Sequence, residues 1–229
     1  MSESVRLRVN EIFHSIQGEG TRAGLPCVFV RLTGCHLRCT YCDSVYAFTE
    51  GRQMTLDEVY DAVAAFDCPL VEVTGGEPLL QPGVYPLLEG LLARFETVLL
   101  ETSGALSIAR VSPRVARIVD LKCPSSGECA RNDWSNIARL TSRDEVKFVI
   151  ATRADYEWAL HAVREHDLAK RCPVLFCPVA APPEHDCLPG APPALAPATL
   201  AGWMLADRVG VRLGLQLHKM IWPDRHRGV

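Results

Sequence analysis

The sequence predicts an α/β fold, a partial β/α barrel of about six parallel strands, formed by one domain over residues 1–229. Three observations carry this expectation. Short apolar, β-branched runs recur after Gly/Pro punctuation, as in a parallel sheet covered on both faces. The segments between several of them are helical in period, which implies strand–helix–strand units with right-handed crossovers. Finally, 229 residues fall short of the ~250 typical of a complete eight-stranded barrel.

The elements follow in order. Cys27 to Leu32 (CVFVRL) reads as the first buried strand. Thr55-Leu56-Asp57-Glu58 is a capping box, with Val59, Val63 and Phe66 following at helical spacing. Strands are then expected at Leu70–Thr74, Thr97–Glu101, Arg117–Leu121, Glu145–Ile150 and Pro173–Cys177. Helices are expected over Pro82–Arg94, Ala154–Glu165 and Thr199–Arg208, the first with a proline near its start. A seventh strand, Val211–Leu217, should close with the C-terminal tail over the substrate end of the six-stranded curved sheet. The proline-rich stretch 180–198 reads as a surface loop near the ligand-bearing edge, because too little chain follows for another domain.

Composition excludes several classes. Apolar residues make up 48% of the chain and charged residues 22%, the balance of a globular protein rather than a disordered or collagen-like one. A net charge of −3 offers no general footprint for nucleic acid. No apolar run approaches a membrane span, and the first residues lack a signal-peptide core, so a cytoplasmic location is expected. Ten cysteines in a reducing compartment are no disulfide framework; some should bind metal or act in catalysis.

Three of them stand together just after the first predicted strand, as Cys35-x3-Cys39-x2-Cys42. A loop with this spacing can wrap three thiolates around one inorganic centre and leave a fourth position open. Structural zinc wants that position filled, and no second CxxC exists to fill it. A [4Fe–4S] cluster can offer its fourth iron to another molecule. After the second predicted strand comes Thr74-Gly75-Gly76-Glu77-Pro78, where two glycines let the backbone approach a ligand and a proline ends the ladder.

The cysteine spacing resembles the cluster motif of the radical S-adenosylmethionine (SAM) enzymes, and the GGEP segment resembles their GGE motif. The extended match of Glu11–Gly20 (EIFHSIQGEG), the following Gly24-x-Pro26 and FVRLTGC, and the tail Leu217–Trp222 with Arg227-Gly228-Val229 is more specific. It resembles the 7-carboxy-7-deazaguanine synthase family from about residue 7 to the end.

The resemblance implies a lyase of queuosine and 7-deazapurine biosynthesis. Such enzymes rearrange 6-carboxy-5,6,7,8-tetrahydropterin to 7-carboxy-7-deazaguanine with loss of ammonia, using a [4Fe–4S] cluster, SAM and Mg²⁺. It implies Cys35, Cys39 and Cys42 as cluster ligands and Ser44 as a hydroxyl on Mg²⁺. For SAM it implies Tyr41, Cys42, Asp43, Gly76, Glu101, Lys122 and the Cys177 turn, with Glu77 anchoring its loop. Many relatives have Ser-Pro-Lys where this chain has Asp120-Leu121-Lys122, so only Lys122 is carried over there.

For the substrate, Gln17 and the backbone of Ile16 and Gly18 offer the mixed donors and acceptors of a pterin edge. Arg31 offers a planar fork for a carboxylate, Thr74 a further polar contact, and His218 another candidate contact. The resemblance also implies a flavodoxin- or ferredoxin-type electron donor and a homodimer, with neither nucleic acid nor membrane as partner.

Two other functions share part of these features. A glycyl-radical-enzyme activating protein would share CxxxCxxC, GGEP and Asp-Leu-Lys, but has no evident use for the IQGEG loop. A non-catalytic zinc-binding module would use the cysteines alone. The remaining cysteines read mainly as buried or idle thiols; the alternative is a supplementary metal site drawn from Cys123, Cys129, Cys177 or Cys187.

Overall fold

The computed structural model describes residues 5–180 and 188–229. Nine strands among them form one sheet: β1 (Arg6–Ile16), β2 (Pro26–Leu32), β3 (Arg52–Thr55), β4 (Leu70–Gly75), β5 (Thr97–Thr102), β6 (Ala116–Asp120), β7 (Glu145–Ile150), β8 (Val174–Pro178) and β9 (Arg212–Leu213). Their order is β3-β1-β2-β4-β5-β6-β7-β8-β9, with β3 and β9 at free edges, so the sheet is not closed. Pairing is parallel from β2 through β9, and antiparallel only where β1 meets β2 and β3. The six parallel strands β2 and β4–β8 are those expected, and the open sheet agrees with a partial barrel.

The helices also fall where the pattern puts them. α1 (Leu56–Ala64) starts on the Thr55/Glu58 capping box, with Thr55 Oγ1 accepting from the Glu58 amide and Glu58 accepting from the Thr55 amide. α2 spans Val84–Leu92 and α3 Arg153–Glu165, the latter on a second box formed by Thr152 and Asp155. α4 (Pro197–Asp207) and the short α5 (Leu217–Ile221) complete the set.

Two elements differ from the sequence expectation. The predicted seventh strand is only Arg212–Leu213; the chain then leaves the ladder and turns into α5, so the segment caps the site as a tail rather than extending the sheet. Conversely, Arg6–Ile16 is the longest strand in the sheet, although its alternation did not mark it as one. The reason is a bulge. Val9 pairs with Leu32 but Glu11 pairs with Arg31, so the strand changes face between them. Leu7 and Val9 point to the helix side, whereas Glu11, Phe13 and Ser15 share the face of Arg31, Phe29 and Cys27.

That division runs across the whole sheet, because side chains alternate along each strand. Val28, Val30, Val71, Val73, Val98, Leu100, Val119, Val146, Phe148 and Phe176 make one continuous apolar face, each 1% exposed or less. The opposite face carries Phe29, Arg31, Glu72, Thr74, Glu101, Asp120 and Lys147, and it lines a cleft.

Candidate active site

The cleft, of about 200 Å³, opens at the carboxyl ends of the parallel strands, the edge where β/α folds bind ligands. Three loops close on it. The first, residues 17–25, follows β1 and is pinned by Gln17 N donating to Leu25 O (2.8 Å) and Gly24 N donating to Gln17 O (2.8 Å). The second is the cysteine loop after β2. The third follows β4 and carries the two glycines.

Cys35, Cys39 and Cys42 all line the cleft. Their loop is braced from the β6–β7 connection: Thr40 N donates to Ser126 O (3.0 Å), Thr40 Oγ1 to Ser125 O (2.7 Å) and Arg38 N to Glu128 Oε1 (2.6 Å). Burial raises all three thiols, Cys39 to about 11, so a metal centre binding there has to displace protons. Among the described residues no three Cys, His, Asp or Glu side chains converge on one point suited to a single metal ion. Three thiols in one loop, with no second CxxC to complete a tetrahedral site, fit a cluster that keeps one iron open better than structural zinc. The same observation leaves Cys123, Cys129 and Cys177 without a supplementary ion site among the described residues; Cys187 lies outside them.

The glycine loop is fitted to the cysteine loop. A Cβ at Gly76 would collide with Gly34 O and Cys35 Cβ, so only glycine lets the two backbones approach. Glu77 anchors the loop as expected. It is fully buried and accepts from Leu79 N (2.9 Å), Thr102 Oγ1 (2.9 Å), Ser103 N (2.8 Å) and Ser103 Oγ (2.5 Å). Pro78 follows directly and begins a one-turn helix.

The other expected SAM residues mostly meet here. Tyr41, Asp43, Glu101 and Lys122 line the cleft with Gly76. Lys122 Nζ pairs with Asp120 Oδ2 at 2.8 Å, while Asp120 Oδ1 is sealed from solvent without a hydrogen-bond partner among the described residues. That orphan acceptor suits a polar ligand in the cleft. Asp43 is engaged by the tail, through Lys219 Nζ at 2.7 Å and Gln216 Nε2 at 3.4 Å. Burial raises its carboxyl, but Lys219 outweighs that and holds it well below the usual range. Cys177 is on the inner face of β8 but not among the lining residues; its sulfur lies under Gly214, and Val179 and Ala180 line the cleft instead.

On the substrate side, Ile16, Gln17, Gly18, Arg31, Thr74 and His218 all line the same cleft. Gln17 is buried, donates through Nε2 to Glu72 Oε2, and accepts the Glu19 amide on Oε1 at 3.0 Å. Arg31 spends Nε on Glu11 (2.8 Å), lies near the rings of Phe13 and Tyr46, and lines the cleft. Thr74 Oγ1 donates to Glu101 Oε2 at 3.0 Å. His218 packs directly on Gly18, whose missing side chain makes room for its ring, and burial lowers its pKa. Ser44 also lines the cleft and precedes a one-turn helix that its side chain does not cap, so the hydroxyl is not spent on helix capping.

Among the lining residues that escaped sequence reasoning are the charged Glu19, Glu72, Lys147 and Lys219. For Glu72 and Lys147 the signal was present as a charge inside an apolar run, LVEVT and EVKFVI. Lys147 bonds Glu19 (2.8 Å) and Glu101 and lies 3.8 Å from Asp120. Burial and then the Glu101 carboxylate push the Glu72 carboxyl well above its ordinary value, with Lys147 opposing.

Comparison with known proteins agrees with this geometry. The sequence profile of the radical SAM superfamily matches residues 29–166. A 7-carboxy-7-deazaguanine synthase of Chlorobaculum tepidum is 47% identical over the full length of both chains. One of Koribacter versatilis is 45% identical over 97% of this chain and all of its own. This chain belongs to the 7-carboxy-7-deazaguanine synthase family of radical SAM proteins. The crystal structure of QueE from Escherichia coli shares the fold of this family member with a TM-score of 0.71 at 20% identity, covering 92% of this chain and 94% of its own. SuiB of Streptococcus suis, solved with S-adenosylmethionine, superposes with a TM-score of 0.59 at 13% identity, over 80% of this chain and 48% of its own. Among the described residues no helix is long and apolar enough to cross a membrane.

Proposed function

We propose that this chain converts 6-carboxy-5,6,7,8-tetrahydropterin to 7-carboxy-7-deazaguanine with release of ammonia. One observation carries the reading: the loop of Ile16, Gln17 and Gly18 shares a single cleft with the three cysteines, in a chain related to synthases along its entire length. The activating-enzyme alternative shares only the cysteine, GGEP and Asp-Leu-Lys segments and does not account for that loop.

Cys35, Cys39 and Cys42 would hold the [4Fe–4S] cluster, with Gly76, Glu101 and Lys122 beside SAM. When bound, these groups supply reductive cleavage of SAM and the abstraction of a substrate hydrogen atom. The chain's own residues then have to bind, orient and exclude water. Gln17, buried and fixed at both ends of its amide, offers a rigid edge for an aminopyrimidinone. The free nitrogens of Arg31 can meet the substrate carboxylate, with Nε already tied to Glu11 so that the fork does not turn. The tail shuts the cleft through Leu217 N donating to Gly18 O (3.0 Å) and Lys219 on Asp43. Most of the rate is then positional, since a reactive centre held next to its target gains the advantage of an intramolecular reaction.

Magnesium belongs to the same proposal. Ser44 would offer it one hydroxyl, with substrate oxygens and water completing a hard-oxygen shell. The further partners proposed are a flavodoxin- or ferredoxin-type electron donor and a second copy of the chain. A reducing cytoplasmic setting agrees with the nine described cysteines, all of which are free.

The test is anaerobic incubation of reconstituted protein with SAM, a strong reductant, Mg²⁺ and the carboxylated tetrahydropterin. A 7-deazaguanine chromophore is expected, and Cys35→Ala should lose both the cluster absorbance and the product. SAM cleavage without any deazaguanine would sink the reading. Titrating Mg²⁺ against turnover checks the metal: Ser44→Ala should blunt the response and Ser44→Thr keep most of it, and an Ala variant as responsive as wild type removes Ser44 from the site.

A further inference from the structure

Lys147 bonds to both sides of the cleft. It stands on the inner face of β7 and is 7% exposed. From β5, Glu101 reaches it, with its other oxygen accepting from Thr74. From the loop after β1, Glu19 reaches it at 2.8 Å, with its other oxygen accepting from Gln216 of the tail at 2.8 Å. The Glu19 amide in turn bonds Gln17, whose amide nitrogen bonds Glu72. One ammonium therefore joins Glu101, on the SAM side, to a chain that reaches Gln17 and Gln216 on the substrate side.

We propose that Lys147 is a positioning residue that joins the SAM-side acid Glu101 to the substrate-loop acid Glu19 and keeps both carboxylates aimed into the cleft; this rests on the synthase reading above. Charge explains why a cation is needed there. Glu19, Glu101 and Asp120 face Lys147 from the β1 loop, β5 and β6, and Cys177 faces it from β8. Glu72 on β4 stands behind Glu101, His218 of α5 lies against Glu19, and Lys122 is already engaged by Asp120. Burial opposes the charge on Lys147, yet Glu101 and Glu19 outweigh it and raise its pKa well above the ordinary value. Without the ammonium, several acids in a poorly hydrated cleft repel one another and take up protons, and an acid that has done so no longer fixes Gln216 or the loop.

The test is equilibrium binding of 6-carboxytetrahydropterin to cluster-loaded protein with SAM, without reductant so that no turnover occurs, from mildly acidic to mildly alkaline pH. SAM binding alone and iron content are measured alongside. Lys147→Met should weaken pterin binding at neutral pH by about tenfold or more and move the acid limb of the profile upward by about one pH unit. Lys147→Arg, which keeps the charge, should leave the acid limb near that of wild type. Glu19→Gln, in the loop after β1, should cost part of the same affinity, and adding it to Lys147→Met should cost no more.

A Met variant with the wild-type profile overturns the proposal. So does equal loss in the Met and Arg variants with no movement of the limb, which is what a merely structural lysine predicts, and so does additivity in the double variant. Wild-type protein that binds SAM but not the pterin overturns the synthase reading, and the role of Lys147 falls with it; wild-type binding that Lys147→Met leaves intact overturns only the role of Lys147.

Discussion

The two faces of one sheet obey opposite rules. On the helix side, strands β2 and β4–β8 present valine, leucine and phenylalanine with almost no exposure, and α1, α2, α3 and α4 bury apolar side chains against them. On the cleft side the same strands present Arg31, Glu101, Asp120 and Lys147, each tied to a partner by an ion pair, and Glu72, which accepts from Gln17. The apolar face supplies the free energy that folds the chain, at roughly 1.5–3 kcal/mol for each large side chain buried. The charged face offsets part of that gain, because buried ions recover their hydration only through good geometry. A fold that had only to be stable would not carry such a surface. One that binds a charged cofactor and a carboxylated heterocycle requires it.

Glu77 should give the largest effect, because it ties the two faces together. Truncation by Glu77→Ala strands the Thr102 and Ser103 donors in a buried site and frees the glycine loop from β5. A loss of about 4 kcal/mol or more is expected, together with failure to retain the cluster, because Gly76 packs on Cys35. Denaturant unfolding and iron content check it. A variant that lost stability but kept a full cluster would separate the two faces more sharply than the structure does.

Next comes Phe148, fully buried on the helix side and set edge-on to Phe176 at 5.6 Å between ring centroids. Phe148→Ala should cost about 3–4 kcal/mol by the cavity it leaves. Because its side chain points away from the cleft, SAM affinity measured well below the melting temperature should stay at the wild-type value. A matching loss of SAM affinity would mean that the faces are coupled through the strand itself.

How much of this was legible in the sequence follows from the same division. The outer face is apolar and periodic, so six parallel strands and the larger helices could be read directly. Strand β1 could not, because its bulge moves the apolar residues from one face to the other and hides a period of two. The cysteines, glycines and Gln17 were legible because loop residues of unusual type in short spacing point to chemistry. Glu72 and Lys147 were not, since one charge inside an apolar run reads as a strand residue until the register shows which face it takes and what it meets there. Cys177 illustrates the converse: of the turn Cys177-Pro178-Val179-Ala180 expected at the cleft, Val179 and Ala180 line it and Cys177 does not.

The smallest effect expected is the most direct measure of what the charged face costs. Glu72 lies on the inner face of β4, 3% exposed, and Gln17 donates to it. Burial, with the Glu101 carboxylate adding to it and Lys147 only partly opposing, raises its pKa well above the ordinary value. A carboxyl raised in this way binds more protons in the native chain than in the unfolded one. Its contribution is therefore complete below the unfolded-state value and is lost as pH rises toward and through the raised one. Glu72→Gln keeps the shape and an oxygen that can accept from Gln17, but it cannot ionise. Denaturant unfolding measured across that window should show the variant gaining on wild type as pH rises, with the two converging in acid. Parallel curves would mean that Glu72 is as easily ionised folded as unfolded, and that the cleft tolerates a further negative charge beside Glu101 at no cost.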